Sequence, residues 1–87
     1  IEAARLLCYK AAWLSDRGER HTKETSMAKW YATELAVKAA LHAMTVLGGY
    51  GVMKGRVERC FRDAKCFTFA QGTTEIQKLI IAREIAR

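Results

Sequence analysis

Residues 23–47 read KETSMAKWYATELAVKAALHAMTVL and form a proline-free stretch that ends at the glycine pair Gly48 and Gly49. Its apolar side chains recur every three or four residues, which is typical of a helix. They are Met27, Trp30, Tyr31, Leu35, Leu41 and Met44. Glycine commonly follows the last residue of a helix. The stretch therefore predicts one helix of about 25 residues, about 37 Å long at 1.5 Å per residue, which needs partners of similar length.

Three further helices are predicted on either side of this long helix. The first runs from the start of the chain to about Arg17, with apolar residues at helical spacing, and Thr22 is the expected N-cap of the long helix. The third covers about residues 57–70. Period-two alternation does not persist anywhere, so no strand is expected. The prediction is an all-α chain, folded as an up-and-down helical bundle.

The fourth helix is predicted to begin after Gly72. Thr73 or Thr74 can cap it, and a Thr74 cap would place Gln77 at the third helical position of a capping box. The apolar residues expected to face inward are Ile76, Leu79 and Ile80.

Composition favours a soluble, folded and basic chain. The 87 residues include 15 Lys and Arg against 9 Asp and Glu, a formal charge of +6, and 51% are hydrophobic. No apolar run reaches the ~18–20 residues of a membrane span, and no secretory signal pattern is present. The three cysteines lack metal-site spacing and are expected to be buried free thiols, and the two isolated histidines give no reason to expect a metal site. At this length the stability is expected to be marginal.

Several short strings together resemble one enzyme family. Each is weak alone, but their order and spacing resemble the C-terminal helical domain of the acyl-CoA dehydrogenase flavoenzymes over essentially the whole chain. The strings are EAARLL at 2–7, SMAK at 26–29, LGGYG at 47–51, RDAK at 62–65, QGTTEIQ at 71–77 and IARE at 81–84.

The resemblance implies an architecture larger than this chain. Such enzymes have an N-terminal helical domain, a middle β-domain and a C-terminal four-helix domain. Residues 1–87 correspond to the later three to four helices of the last domain, so the first bundle helix is expected to be missing. That expectation agrees with the absence of a capping residue before Ile1. An apolar patch that favours self-association would then be exposed.

The resemblance also implies a cofactor, FAD. In the family, the glycine turn after the long helix contacts FAD of a neighbouring subunit, and glycine lets a ligand approach the backbone closely. The matching residues here are Thr45, Val46, Leu47, Gly48 and Gly49. Thr45 stands where glutamine is usual, which puts its contact in doubt, and a helix end without a ligand is the alternative.

Gln71 occupies the position of the usual catalytic base. The family removes an α-proton from an acyl-CoA thioester while a β-hydride passes to the flavin, and the resemblance places Gly72 on the substrate side and Thr73 and Glu75 on the flavin side. A glutamine amide can hydrogen-bond a thioester but cannot take its proton. Glu75 is the nearest carboxylate and a weak alternative base. The remaining explanations are a base relocated to an earlier helix, which is favoured, a different reaction such as a reduction, or lost activity.

Neighbouring residues have structural or substrate-side interpretations. Arg62 and Asp63 are expected to form ion pairs with other segments. Phe67, Phe69 and Ala70 either line the acyl side or, for the aromatic pair, belong to the core. The small Ala70 would leave room for a wide acyl group.

Two other classes of function compete with this interpretation. A basic phosphate-binding or nucleic-acid-binding module is possible because of a cationic stretch, although its stripe drifts around the helix. That stretch contains Lys54, Arg56, Arg59, Arg62 and Lys65. A self-associating structural bundle is the third class.

For the parent enzyme the implied partners are an acyl-CoA, an electron-transfer flavoprotein and further copies in a homo-oligomer, without nucleic acid or a membrane span. The expected location is the bacterial cytoplasm or the mitochondrial matrix, and the 87 residues alone are not expected to retain FAD.

Overall fold

The computed structural model describes residues 1–87 and is entirely helical. A short 3₁₀ turn, Gly48–Val52, follows the longest helix. The four helices are α1 (Glu2–Asp16), α2 (Thr22–Leu47), α3 (Arg56–Phe67) and α4 (Thr74–Ala86). The all-α prediction and the number of helices are confirmed.

Helix α2 is the centre of the fold. Helices α1, α3 and α4 each pack against α2, and none of these three brings a Cα atom within 8 Å of another. The molecule measures 48 × 22 × 16 Å and has a radius of gyration of 15.3 Å. A compact chain of this length has a radius of gyration of about 12 Å. The helices therefore surround α2 in an open arrangement.

Little side-chain surface is buried. Apart from a glycine, Ala4 and Ala28 are the only buried apolar residues, and no large side chain is fully buried. The accessible surface is 6498 Å², against about 5200 Å² for a compact monomer of this mass. Sixteen large hydrophobic residues are exposed. The predicted apolar surface is therefore present, and self-association through it stays a prediction.

Helix α4 faces α2 with a different side from the one predicted. Ile76 and Leu79 are 47% and 66% exposed, so their expected inward orientation is wrong, while Ile80 is half-buried. Thr74 and Gln77 are buried instead. These two positions and Ile81 and Glu84 further along share one helix face, so α4 packs through a partly polar face that hydrophobic periodicity does not identify.

The predicted N-cap is wrong for α2, and for α4 the first of the two predicted caps, Thr73, is confirmed. Helix α2 begins at Thr22 with His21 in the N-cap position, so the predicted Thr22 cap is wrong. At α4, Thr73 is the N-cap and its hydroxyl oxygen accepts a hydrogen bond from the Ile76 amide at 3.2 Å. The Thr74–Gln77 capping box is therefore wrong, because Thr74 is already helical.

Two further expectations need correction. The three cysteines are free but exposed, not buried, because they lie on helix sides that no other helix covers. Arg62 pairs with Glu58, and Asp63 with Arg59 at 3.9 Å, all within α3. Their expected partners on other segments are therefore not used, because a carboxylate or guanidinium lies one helical turn away.

Helix α2 also satisfies a simple test for membrane spans. By length and composition alone, the helical segment Thr22–Val52 could cross a membrane. The chain was predicted to lack such a stretch. However, three helices pack against α2, and its charged side chains Lys29 and Glu34 bind Gly72 in the turn before α4 and Thr74 at the start of α4. These features are those of the central helix of a helical domain.

A salt bridge joins the turn after α1 to α4. The Arg20 guanidinium donates two hydrogen bonds to the Glu84 carboxylate, at 2.6 and 2.8 Å, and the Glu84 side chain is only 7% exposed. Arg87 lies 3.7 Å from the same carboxylate. The hydrogen bonds from Arg20 hold the pKa of Glu84 below its ordinary value, with a further contribution from the positive charges of Arg20, Arg87 and Arg83.

We expect the Glu84→Gln variant to lose part of the acid dependence of stability. A carboxylate whose pKa is lowered by folding stabilises the folded state above its unfolded pKa, near 4.5, and this stabilisation is lost as pH falls towards the lower, folded pKa. Urea unfolding between pH 7 and pH 3 measures it. Asp63→Asn is the control, because Asp63 forms only an exposed pair. The interpretation is wrong if both variants retain the wild-type pH dependence.

Candidate functional site

The turn between α3 and α4 has an unusual backbone. Gln71 has a φ of +57° and is the only residue other than glycine with a positive φ, and Gly72 follows it with a φ of +112°. Gln71 is exposed. Non-glycine residues held in the left-handed region are costly and concentrate at functional sites. The residue at the predicted base position is therefore presented on a constrained turn.

Lys29 of α2 holds this turn at both ends. Its ammonium donates to the carbonyl oxygen of Phe67 at 3.1 Å and to that of Gly72 at 2.8 Å. Phe67 is the last residue of α3, and Gly72 directly follows Gln71. In the sequence, Lys29 stands out only as part of the SMAK string, which predicts no role for it. No local signal singles it out, because its neighbours on the same helix face include Ser26, Thr25 and Thr33.

Glu34 links α2 to the first residue of α4, directly after the turn. The buried Thr74 hydroxyl donates to the Glu34 carboxylate at 2.6 Å. One residue earlier, Thr73 caps α4. Glu34 was also missed, because its partner lies 40 residues away in the sequence. The turn is therefore fixed by side chains from α2 on both sides of Gln71 and by its own helix cap.

Gly72 is required for steric reasons as well as for its φ. A Cβ atom at this position would stand 2.7 Å from Nε2 of the Gln77 side chain. Gln77 is a buried residue, and the amide at the end of its side chain would have to move to make room for a Cβ atom. The glycine of the QGTT string thus allows the turn to pack directly over α4.

The predicted cofactor residues at the end of α2 form a separate, exposed surface. The Thr45 hydroxyl donates to the Leu41 carbonyl at 3.1 Å, and Val46 is 85% exposed. Gly48 ends the helix with a φ of +63°, and a Cβ at Gly48 or Gly49 would meet no atom within 4 Å. Leu47 is exposed too. An open glycine backbone beside an exposed hydroxyl oxygen fits one wall of a cofactor site.

Gly51 positions this surface. It is buried, and a Cβ atom there would lie 2.4 Å from the carbonyl oxygen and 2.7 Å from the Cα atom of Met44. The 3₁₀ turn therefore lies directly on the backbone of α2. This close approach fixes the path of the chain through Gly48 and Gly49.

The two predicted sites lie far apart within one chain. Thr45 follows Lys29 by sixteen positions on the same helix, a rise of about 24 Å. Lys29 contacts the Gln71 turn directly, so the Thr45–Gly49 surface lies near the other end of α2. Thr73 and Glu75 stay with Gln71 at the beginning of α4. The two surfaces therefore lie near opposite ends of α2.

The aromatic residues beside Gln71 do not belong to a core in this chain. Phe67 and Phe69 are 60% and 55% exposed, and Ala70 is exposed as well. The core interpretation of the aromatic pair is therefore wrong here. An exposed apolar surface therefore lies next to the Gln71 turn.

The cationic stretch is partly neutralised within α3. Lys54, Arg56, Arg59 and Arg62 line one open cleft together with Glu58. Arg62 and Arg59 pair with carboxylates of the same helix. No group of three or more His, Cys, Asp or Glu side chains in residues 1–87 could hold a metal ion.

Comparisons with known proteins give a consistent result. The sequence profile described as "Acyl-CoA dehydrogenase, C-terminal domain" matches residues 1–86. The chain is 50% identical over 88 residues to cyclohexane-1-carbonyl-CoA dehydrogenase of Geobacter metallireducens, covering 100% of this chain and 23% of that protein. It is 45% identical over 83 residues to the caffeyl-CoA reductase-Etf complex subunit CarC of Acetobacterium woodii, covering 94% of this chain and 22% of that protein.

A solved structure agrees in three dimensions. The structure of butyryl-CoA dehydrogenase from Megasphaera elsdenii superposes with a TM-score of 0.94 at 36% identity, over 99% of this chain and 23% of that one. The chain thus spans less than a quarter of the length of the relatives that it matches.

Proposed function

Because the chain belongs to the acyl-CoA dehydrogenase family and matches its C-terminal domain over residues 1–86, we propose that it is the later part of that helical domain in an FAD-dependent enzyme. The reaction proposed is the α,β-dehydrogenation of an acyl-CoA thioester. The observation that carries this proposal is the turn at Gln71. A residue at the family's base position is exposed, left-handed and tied to α2 by Lys29. This arrangement suits a group that must meet a reacting thioester.

The proposed role of Gln71 is hydrogen bonding and not proton removal. Its amide offers two N–H donors and a carbonyl acceptor, with no lone pair basic enough to accept a proton near neutral pH. In the dehydrogenation, the α-carbon loses a proton and the β-carbon a hydride, which flavin accepts when bound. Gly72 lies beside Gln71 on the substrate side. The α-proton then goes to a base in another part of the enzyme.

FAD contacts are proposed at two surfaces of the chain, the start of α4 next to Gln71 and residues 45–49. Thr73 and Glu75, next to Gln71, would contact the flavin end of the cofactor. The surface of residues 45–49 would contact the FAD of a neighbouring copy. The distance of about 24 Å along α2 and the open space around Gly48 and Gly49 support this division. A preparation of the 87 residues alone is expected to be colourless, since neither surface encloses a ligand.

The proposed partners follow from the exposed surface and the relatives. Exposed apolar side chains on several helices support burial against other parts of a homo-oligomeric enzyme. The name of the Acetobacterium woodii relative includes an Etf complex, which supports an electron-transfer flavoprotein as the redox partner. The proposed location is the cytoplasm of a bacterium or the mitochondrial matrix.

Reduction of an α,β-unsaturated acyl-CoA is the second candidate. The observation that favours it is the name of one relative, which is a reductase. The reverse reaction needs a proton donor at the α-carbon, and an amide does not supply that proton either. Both candidates therefore require an acid or base outside the Gln71 turn.

Anaerobic titration of the full-length flavoprotein tests the proposed function. Saturated acyl-CoA thioesters of different chain width are added, and the flavin absorbance is followed. We expect at least one thioester to bleach the oxidised flavin. Reoxidation of reduced flavin by an enoyl-CoA, without bleaching by any saturated thioester, would favour the reductase. A protein that binds no flavin, or whose flavin responds to neither class, would contradict both candidates.

Replacing Gln71 separates hydrogen bonding from base catalysis. We expect Gln71→Glu to give no increase in kcat, because the base lies elsewhere. We expect Gln71→Leu to lower kcat/KM about two- to tenfold, the effect of one lost hydrogen bond worth about 0.5–1.5 kcal/mol. Steady-state kinetics with the substrate found by titration measures both. A large rate increase in Gln71→Glu would show that the parent simply lacks its base.

A further inference from the structure

We propose that Lys29 is a positioning residue, whose ammonium holds the Gln71–Gly72 turn in the conformation that presents Gln71. The turn is closed between two carbonyl groups, those of Phe67 and Gly72, and Lys29 donates to both. The two hydrogen bonds therefore join backbone positions on either side of Gln71, the residue with the positive φ. The catalytic consequence rests on the proposed function, whereas the effect on the turn does not.

The Phe67 carbonyl is a natural acceptor for this cation. It belongs to the last residue of α3, where carbonyl groups lack partners within the helix and the helix dipole is negative. Lys29 thus caps the end of α3 from the neighbouring helix. The same ammonium reaches the Gly72 carbonyl one residue before the α4 cap at Thr73. One side chain therefore sets the distance between the end of α3 and the start of α4.

The surroundings of Lys29 direct it to the turn alone. It forms no salt bridge, and the nearby Glu34 carboxylate accepts from Thr74. Hydrogen bonds from a charged donor are about twice as strong as neutral ones. Lysine also carries three donors on a compact head at the end of a flexible stem, which suits two carbonyl acceptors at different positions. The Lys29 ammonium has only these two carbonyl oxygens as partners. Its role is therefore to hold the turn.

Two variants of the full-length protein test this role, with a third as control. Lys29→Met keeps the length of the stem and removes the donors, and Lys29→Arg keeps the charge. Lys38→Met removes an exposed lysine from the same helix. Hydrogen–deuterium exchange of the peptides that cover residues 67–74, together with kcat, KM and the thermal midpoint, is measured for each.

We expect Lys29→Met to speed exchange in the turn about tenfold and to lower kcat about tenfold with KM changed less than about threefold, the effect of losing hydrogen bonds from a charged donor. Lys29→Arg should recover part of both losses, and Lys38→Met should match the wild type. Unchanged exchange in Lys29→Met would overturn the proposal, as would equal effects of Lys29→Met and Lys38→Met. If kcat and KM change only in proportion to a lowered thermal midpoint, Lys29 is structural and the proposal is wrong.

The exchange measurement separates this proposal from the proposed function. If the protein turns out to have no activity with acyl-CoA or enoyl-CoA, the proposed function fails, yet exchange in the turn still reports whether Lys29 holds it. If activity is present and exchange in Lys29→Met equals that of the wild type, the positioning role fails and the proposed function stands.

Discussion

Replacing Gly51 with alanine is expected to lower the free energy of unfolding by about 3 kcal/mol, at the upper end of the range for overpacked sites. The new Cβ would stand 2.4 Å from the Met44 carbonyl oxygen and 2.7 Å from its Cα atom. Both are backbone atoms inside α2, so neither can move as a side-chain tip can. The 3₁₀ turn must therefore lift away from the helix. Chemical denaturation of the purified protein measures the loss.

Gly49→Ala is the matched control for Gly51→Ala. It lies two residues away in the same 3₁₀ turn, and its Cβ would meet no heavy atom within 4 Å. We expect a change within about 0.5 kcal/mol, as for surface substitutions without a special role. Equal destabilisation by the two variants would show that the turn does not lie against α2. A second readout is FAD affinity in the parent, which should fall in Gly51→Ala because Gly48 and Gly49 are displaced.

Local sequence signals were sufficient to predict the four helices, although α3 ends at Phe67 and not near residue 70. Gly48 ends α2 with a positive φ, and Gly18 ends the turn after α1 in the same way. These glycines therefore predicted correctly where the helical segments end. The long period-3.6 stretch predicted α2 to within one residue at its start. Both signals depend only on residues close in sequence. No knowledge of packing was needed to interpret them.

The contacts that build the site could not be predicted in this way. Lys29 reaches the Gly72 carbonyl across 43 positions, and Thr74 reaches Glu34 across 40. No local pattern specifies which carbonyl a distant lysine will bind. The family resemblance pointed to Gln71 but not to the side chains that hold it. The same limit explains α4, where periodicity selected Ile76 and Leu79 although the buried face begins with the polar pair Thr74 and Gln77.

The exposed surface of the molecule explains why hydrophobic periodicity misled in α4. Periodicity identifies a side that needs burial, but it does not say against which element. In this chain, Ile76 and Leu79 face away from α2, and such residues are suited to contacts with other parts of a larger assembly. The inner face can be polar because the Thr74 hydroxyl is satisfied by Glu34. Buried polar groups are tolerated when each has a hydrogen-bond partner.

Replacing Gly72 with alanine is the second substitution expected to have a large effect, and it acts on the site itself. Its φ of +112° disfavours any side chain, and its Cβ would stand 2.7 Å from Gln77 Nε2. The left-handed conformation alone costs about 1–2 kcal/mol for an L-residue, and the contact with Gln77 adds to it. We expect a loss of about 2–3 kcal/mol in the free energy of unfolding.

Two controls separate the strain from the contact at Gly72. Gly18→Ala has a φ of +73° but no atom within 4 Å of its Cβ, so it should lose only the conformational part, about 1 kcal/mol. In a Gln77→Ala background the contact is absent. Gly72→Ala should therefore lower the free energy of unfolding by less in that background than in the wild type. A Gly72→Ala variant no less stable than Gly18→Ala would contradict the close packing of the turn on α4. Since Lys29 binds the Gly72 carbonyl, a displaced turn should also raise exchange at residues 67–74, which links this substitution to the position of Gln71.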